Sequence, residues 1–178
     1  MRDGNGELGA RPDPDNREDR HNRRDEKGRS MARRVINPWT WQDVFGFVQA
    51  HEVTGAQRVL HCAGQTSVDA YGGPMHPGDM SAQVGQALDN LETVLREADM
   101  ALEHVVRINY YTTDVDLFLE AGAASLPRLQ KAGCRPVSTL LGVQRLAFPE
   151  LMIEIEATAI AEDDGVERPG HDIHDDTA

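Results

Sequence analysis

The spacing of apolar residues between 45 and 161 switches repeatedly between the two-residue period of a strand and the 3.6-residue period of a helix. Alternating segments at 45–53 and 58–69 flank the turn-like sequence TGAQ at 54–57, which predicts a β-hairpin. A loop dense in Gly and Pro follows at 71–79, and the pattern after it becomes helical. The domain is therefore predicted to begin strand, strand, helix.

Two amphipathic helices are predicted, each opened by a capping side chain. The first begins with Asp79 or Ser81 as its N-cap, and the second begins at Asp114 or Asp116. Their buried stripes are Val84, Leu88, Leu91, Leu95 and Ala98 in the first helix, and Phe118, Ala121, Ser125 and Leu129 in the second. Pro127 falls inside the second helix, where its ring and missing N–H predict a kink or a restart.

A strand at 104–114 precedes the second helix, and two more strands follow it within 134–160. The last strand alternates Ile153 and Ile155 with Glu154 and Glu156, so its two carboxylates share one face. This order of elements predicts an α+β sandwich of two layers, a mixed sheet with both helices on one face. The other face has no helices, and an apolar sheet face of that kind predicts oligomerisation.

The composition is that of a single domain with polar ends. The 178 residues are 39% hydrophobic and 27% charged, which suits one core of ordinary size. Residues 1–34 and 162–178 hold few large apolar side chains, so we predict disordered tails around a domain at 35–161. His171 and His174 in the second tail could bind a metal, or could be solvated with the neighbouring acids.

Charge and composition also bear on partners and location. The net charge of −12 argues against nucleic acid as the main partner, because phosphate would be repelled. No apolar run is long enough to span a membrane, and the N-terminus lacks an apolar signal core, so we predict a cytoplasmic protein without a membrane partner. Cys62 and Cys134 lack zinc or disulfide-framework spacing, which leaves buried inert thiols or a reactive thiol, and no metal site is predicted.

Four short motifs resemble the RidA (YjgF-like) family over roughly residues 42–161. They are AGQ at 63–65, DNLETVL at 89–95, TTDVDLF at 112–118 and IEIEATAI at 153–160. The resemblance implies a chorismate-mutase-like fold and a homotrimer with small-molecule clefts between subunits. It also implies hydrolysis of imines or enamines to 2-oxo acids and ammonia, with no metal or organic cofactor.

The residues that carry this chemistry in the family are mostly replaced. The arginine that holds the substrate carboxylate in the family corresponds to Val137 in RPVST, and a valine cannot bind a carboxylate. The cleft tyrosine corresponds to Phe47, the hydroxyl donor to Ala63, and the asparagine of the second helix to Gly122. Only the glutamate of the last strand is kept, as Glu154.

Glu154 is the candidate catalytic residue, either positioning or deprotonating water, or else only hydrogen-bonding across a subunit interface. Glu156 is interpreted as structural. The candidate substrate-binding residues follow the family's cleft: Phe47, Ala63, Gly64, Gln65, Arg135, Val137, Ser138 and Thr139. Arg135 could replace the missing arginine if its strand is continuous with Val137, although the intervening Pro136 favours a turn.

Other basic and polar residues leave alternatives open. Arg145, near the far end of the same strand, is expected to pair at a surface or interface. Arg107 and Asn109 could line the cleft or lie at exposed positions. Two functions therefore remain: a cofactor-independent hydrolase of reactive imines that uses Glu154, or a non-catalytic trimer that binds a small molecule.

Overall fold

The computed structural model describes residues 30–55 and 57–166, without the side chains of residues 42, 123 and 124. Most of the two predicted tails, including His171 and His174, lies outside the described residues. Residues 32–34, which are predicted to belong to the first tail, form part of a strand. That strand crosses the predicted domain boundary at residue 35.

The described residues form six strands and two long helices. The strands are β1 (Ala32–Ile36), β2 (Ala50–Thr54), β3 (Gln57–Thr66), β4 (Val105–Thr112), β5 (Val137–Gly142) and β6 (Ile153–Glu162), and the helices are α1 (Met80–Glu97) and α2 (Val115–Lys131). Strands β3, β6, β4 and β5 form one mixed sheet in that order, with only the β4–β5 pair parallel. The predicted α+β sandwich is confirmed.

The hairpin predicted from segments 45–53 and 58–69 is wrong, because the strands found there, β2 and β3, do not pair with each other. β2 pairs antiparallel with β1, from Ala32 opposite Thr54 to Ile36 opposite Ala50. β3 instead pairs with β6, whose inward side chains supply a long buried face. The TGAQ turn marked where the chain changes direction, but a turn signal does not decide which strand the next segment joins.

Both predicted aspartate caps are present. The Asp79 carboxylate accepts a hydrogen bond from the backbone N–H of Ala82 at 2.9 Å, and Asp114 accepts one from Leu117 at 2.9 Å. These bonds satisfy N–H groups that a helix start leaves unpaired. Helix α2 runs without a break through Pro127, so the predicted restart does not occur.

The core lies between the helices and one face of the four-stranded sheet. Leu88, Leu91 and Leu95 of α1 are completely or almost completely buried, as are Ile153 and Ile155 of β6. The alternation in β6 places the isoleucines in this core and the two glutamates on the opposite face. The fold thereby fixes the direction of both carboxylates.

The two cysteines are buried, as predicted for inert thiols. Cys62 is 5% exposed and Cys134 is 1% exposed. Burial raises the pKa of the Cys62 thiol and raises that of Cys134 to about 12. Both groups therefore stay protonated at neutral pH, and neither offers a thiolate nucleophile.

The helix-free face of the sheet is polar along its centre rather than apolar throughout. Its central side chains come from the two middle strands: Arg107, Asn109 and Tyr111 of β4, and Glu154, Glu156 and Thr158 of β6. Apolar side chains lie on the two outer strands, where Val59 is 45% exposed and Leu141 is 49% exposed. Within the described part of the chain, no helix is long and apolar enough to cross a membrane.

Candidate functional site

A cleft of about 370 Å³ opens at the end of the sheet where β6 begins. Its polar side chains are Tyr111, Arg145, Glu154 and Glu156. The remaining wall is made of small or apolar residues, namely Ala63, Gly64, Val143 and Leu146. One cation and two carboxylates therefore face the same open space.

An irregularity in β3 shapes one wall of the cleft. The register of the β3–β6 pair shifts between Cys62 and Gln65, so Ala63 and Gly64 fall outside the regular ladder. A bulge of this kind bends the strand and redirects its side chains. A methyl group on Gly64 would lie 2.8 Å from Cγ of Glu154 and would overlap its carboxylate. Glycine at 64 therefore makes room for the Glu154 side chain.

Glu154 is half-buried on the helix-free face, in register with Thr66 on one side and Tyr111 on the other. Among the described residues, no group donates a hydrogen bond to its carboxylate and no cation pairs with it. Burying part of a carboxylate without a partner costs free energy. The carboxylate is therefore available to a ligand or to water in the cleft.

Glu156, two residues along, is engaged within the chain. Its Oε2 accepts hydrogen bonds from the Tyr111 hydroxyl at 2.9 Å and from Nδ2 of Asn109 at 3.2 Å. The bond from Asn109, followed by that from Tyr111, lowers the pKa of the Glu156 carboxyl. The hydrogen bond that the Tyr111 hydroxyl donates to Glu156 raises the pKa of that hydroxyl. Glu156 is thus held ionised, with Tyr111 as its donor.

Arg145 brings a positive charge to this cleft. β5 ends at Gly142, so Arg145 lies in the segment that follows the strand. The predicted position of Arg145 on the strand is therefore wrong. The neighbouring Leu146 is 8% exposed, which anchors the segment against the protein. The only bond recorded for the Arg145 guanidinium in the described residues runs from Nε to the Leu146 carbonyl, at 3.4 Å. Sequence reasoning missed this placement because strand periodicity says nothing about where a loop returns.

Arg135, the alternative to the arginine that the resemblance places at Val137, pairs with a different part of the chain. Its Nη2 pairs with Oδ1 of Asp43 at 2.9 Å, and both side chains are about half exposed. Its carbonyl accepts a hydrogen bond from Nε2 of His51 at 2.8 Å. Arg135 therefore ties the start of β5 to the segment around Asp43 and does not line the cleft.

The remaining predicted residues divide between two places. Ala63, Gly64 and Glu154 lie together in the cleft, and Gln65 bridges the bulge by donating to the Ala63 carbonyl at 3.3 Å. Phe47 lies near the start of β5, because the next residue, Val48, donates its N–H to the Pro136 carbonyl at 2.9 Å.

Val137, Ser138 and Thr139 open β5, away from Glu154. Val137 is in register with Arg107, which is in register with Thr158, four residues from Glu154. With about 4.8 Å between strands and about 3.3 Å per residue, the Cα atoms of Val137 and Glu154 are roughly 16 Å apart. A small ligand cannot touch both residues of one chain.

Two side-chain amides of α1 hold the cleft's strands in place. Gln83 of α1 is fully buried, accepts from the Met152 N–H at 2.7 Å and donates to the Glu150 carbonyl at 2.7 Å. Asn90 of α1 donates to the Thr66 carbonyl at 2.9 Å, at the end of β3. These contacts fix the entry to β6 and the exit from β3, the two strands that carry Glu154 and Gly64. A polar residue beside an apolar helix stripe was the available sequence signal.

Comparison with known proteins places this geometry in a family. The family model described as "Endoribonuclease L-PSP" matches residues 44–161, about two thirds of the chain. The chain belongs to this family. A solved structure of the Rid family protein YyfB from Yersinia pestis, described as of unknown function, is 41% identical with a TM-score of 0.65. The match covers 71% of this chain and 97% of that protein.

Two further similar proteins agree with this assignment. A RutC family protein of Aquifex aeolicus is 27% identical over 128 residues, covering 72% of this chain and 98% of the relative. The YjgF gene product of Escherichia coli is 26% identical with a TM-score of 0.51, covering 64% of this chain and 87% of that one. The predicted RidA (YjgF-like) membership and fold are thereby confirmed.

Proposed function

We propose that this member of the L-PSP family hydrolyses a small reactive imine or enamine without a cofactor, with Glu154 activating water. The observation that carries the proposal is the Glu154 carboxylate, which lies in the cleft without a partner among the described residues. A carboxylate free to accept a proton beside a bound electrophile can act as a general base.

The reaction needs only proton transfer and positioning. Water adds to the carbon of the C=N bond while Glu154 takes a water proton and passes it to nitrogen. The hydroxyl proton of the resulting carbinolamine then moves to the nitrogen through the same carboxylate. Ammonia leaves, and a carbonyl product remains. Tyr111 and Glu156, bonded to one another at 2.9 Å, form a fixed polar wall beside the reacting group.

We further propose that the protein works as a homotrimer, as the family resemblance implies. Two features support this assembly. The helix-free sheet face is open in a single chain, and Val137 and Glu154 are too far apart to share a ligand within one chain. Packing these faces together would bring Phe47 and Val137 of one subunit towards Glu154 of the next.

A second candidate function is binding without catalysis. The observation that favours it is the apolar character of Val137, Phe47 and Ala63, which stand where the resemblance places three polar groups. A cleft that lost those groups could retain a small-molecule ligand and no longer hydrolyse it. In that case, Glu154 would serve as a hydrogen-bond acceptor for the ligand.

Ribonucleic acid is a poorer candidate, despite the description of the family model. The cleft presents two carboxylates and one arginine, and the whole chain carries a net charge of −12. Phosphate binding depends on accumulated positive charge. Neither the cleft nor the chain as a whole provides it.

A coupled assay tests the proposed function. An amino-acid oxidase generates imines in solution, semicarbazide traps what remains, and the full-length protein is compared with buffer. We expect the wild type to reduce the trapped imine, Glu154→Gln to do so far less, and the exposed control Glu97→Gln to match the wild type. A wild type equal to buffer for every imine tested would contradict catalysis and favour the binding function.

A further inference from the structure

Arg145, Glu154 and Glu156 face one cleft, but they differ in the hydrogen bonds and ion pairs that they form within the chain. Glu156 already accepts two hydrogen bonds from its own chain. Glu154 accepts none from the described residues, and Arg145 forms no ion pair within them. One negative and one positive charge therefore remain unpaired in the same cleft.

We propose that the cleft selects a small zwitterion, whose anionic group is bound by Arg145 and whose positively charged nitrogen faces Glu154. The inference rests on the proposed function and deepens it, because a protonated imine that also carries a carboxylate is such a ligand. Arg145 becomes the specificity-determining residue of the cleft. It takes a different place in the chain from Val137, where the resemblance sets the family arginine.

The size of the cleft suits this ligand. Arg145 and Glu154 line the same space yet lie beyond the 4 Å of an ion pair. A space of about 370 Å³ corresponds to roughly a dozen water volumes. An amino-acid-sized molecule fits there and compensates both charges at once. Hydrogen bonds between ionised groups are the strong ones, so each end adds to affinity.

Charge pairing would also make the cleft bind the substrate more tightly than the product. Hydrolysis of the protonated imine releases its nitrogen, with the positive charge, as ammonium and leaves a carbonyl compound with only its negative charge. The Glu154 carboxylate attracts the cationic nitrogen of the substrate, whereas the carbonyl product offers it no positive charge. The product keeps its contact with Arg145 alone, which favours its release.

Three ligands of matched shape test the inference on the full-length protein. The first is 2-aminoisobutyrate, which is a zwitterion. The second is isobutyrate, the anion that lacks the ammonium group, and the third is isopropylammonium, the cation that lacks the carboxylate. Binding is followed by NMR shifts of the Gly64 and Leu146 amides, which lie in the cleft wall. We expect the zwitterion to bind about tenfold more tightly than either single ion.

Variants assign each charge to its residue. Arg145→Gln should remove the advantage of the zwitterion over the cation, and Arg145→Lys should restore part of it. Glu154→Gln should remove the advantage of the zwitterion over the anion. Arg96→Gln, an exposed arginine on α1 that bonds only Thr93 within the described residues, should change nothing.

Three outcomes would overturn the inference: equal wild-type affinities for 2-aminoisobutyrate and isobutyrate, no saturable shift with any ligand, or an unchanged preference in Arg145→Gln. The imine assay is independent of this titration. Hydrolysis without a zwitterion preference would leave the proposed function standing and remove the role of Arg145. A zwitterion preference without hydrolysis would remove catalysis and leave the recognition.

Discussion

The carboxylate of Glu154 occupies the space beside Gly64 that any side chain at position 64 would take. A methyl group there would lie 2.8 Å from Cγ of Glu154 and closer still to the carboxylate. The bulge in β3 and the outward face of β6 create this contact together. The position of the candidate base thus depends on the absence of a side chain on the neighbouring strand.

Gly64→Ala should therefore lower imine hydrolysis while leaving the fold intact. The Glu154 side chain can rotate away from the new methyl group, but the carboxylate then leaves its position. A displacement of about 1 Å can reduce a catalytic rate by about a hundredfold. Steady-state rates and thermal unfolding of the same preparation measure the two effects.

Gly85→Ala provides the matched control for that change. Gly85 lies in α1, and no atom approaches within 4 Å of the space its methyl group would fill. Alanine in a helix is favoured over glycine by about 1 kcal/mol, so this variant should keep its activity and unfold at a slightly higher temperature. A Gly64→Ala protein as active as Gly85→Ala would contradict the steric account.

Glu156 should titrate below the ordinary range of a glutamate. Asn109 and then Tyr111 stabilise its charged form by hydrogen bonds. Its contribution to stability is present above the unfolded-state pKa of about 4.3 and is lost as the pH falls through the lower folded-state pKa. Carbon-13 NMR of the Glu156 carboxyl measures this pKa directly.

Removing either donor should raise that pKa towards its ordinary value. Asn109→Ala should raise it more than Tyr111→Phe, because the Asn109 bond is the larger cause. Both variants should also lose less stability than the wild type over the acidic range. An ordinary pKa in the wild-type protein, or one unchanged in both variants, would refute the described network.

Gln83→Leu should destabilise the whole domain. The change leaves the Met152 N–H and the carbonyls of Glu150 and His76 without their buried partner. Unpaired buried polar groups of this kind cost about 1–3 kcal/mol each, so we expect a loss of about 3 kcal/mol in a urea titration. Gln86→Leu removes only one bond, to Asn90, and should cost much less.

Val137→Arg tests whether an arginine at the position where the resemblance places the family's arginine can bind a substrate carboxylate. If neighbouring subunits bring Val137 to Glu154, the new guanidinium should increase kcat/KM for imines that carry a carboxylate by about tenfold. The matched control is Val59→Arg, on the opposite edge of the same sheet face, where the valine is 45% exposed. An equal response from both variants would show a general charge effect.

Sequence periodicity was sufficient for the elements whose burial is periodic. The stripe of α1 around Leu88 and Leu91, and the alternation of Ile153 and Ile155, follow directly from which positions reach the core. Strand pairing was harder to predict from the sequence, because β2 pairs with the short, exposed β1, whose five residues show no alternation of burial. Local pattern does not encode such a long-range choice.

The candidate site shows the same division. Glu154 and Gly64 could be placed from strand alternation and from motif resemblance. Arg145 could not, since its position depends on the course of the loop between β5 and β6. The role of Gln83 was likewise hidden, because its three partners lie at His76, Glu150 and Met152, in segments distant in sequence or across a turn.

Chemical rescue tests most directly whether the carboxylate at position 154 activates water. The measurement is imine hydrolysis by Glu154→Ala with increasing formate, which can enter the space that the shortened side chain leaves. We predict that the variant loses most of its activity and that formate restores it saturably while leaving the wild type unchanged. A variant as active as the wild type, or one that formate does not rescue, would contradict the account.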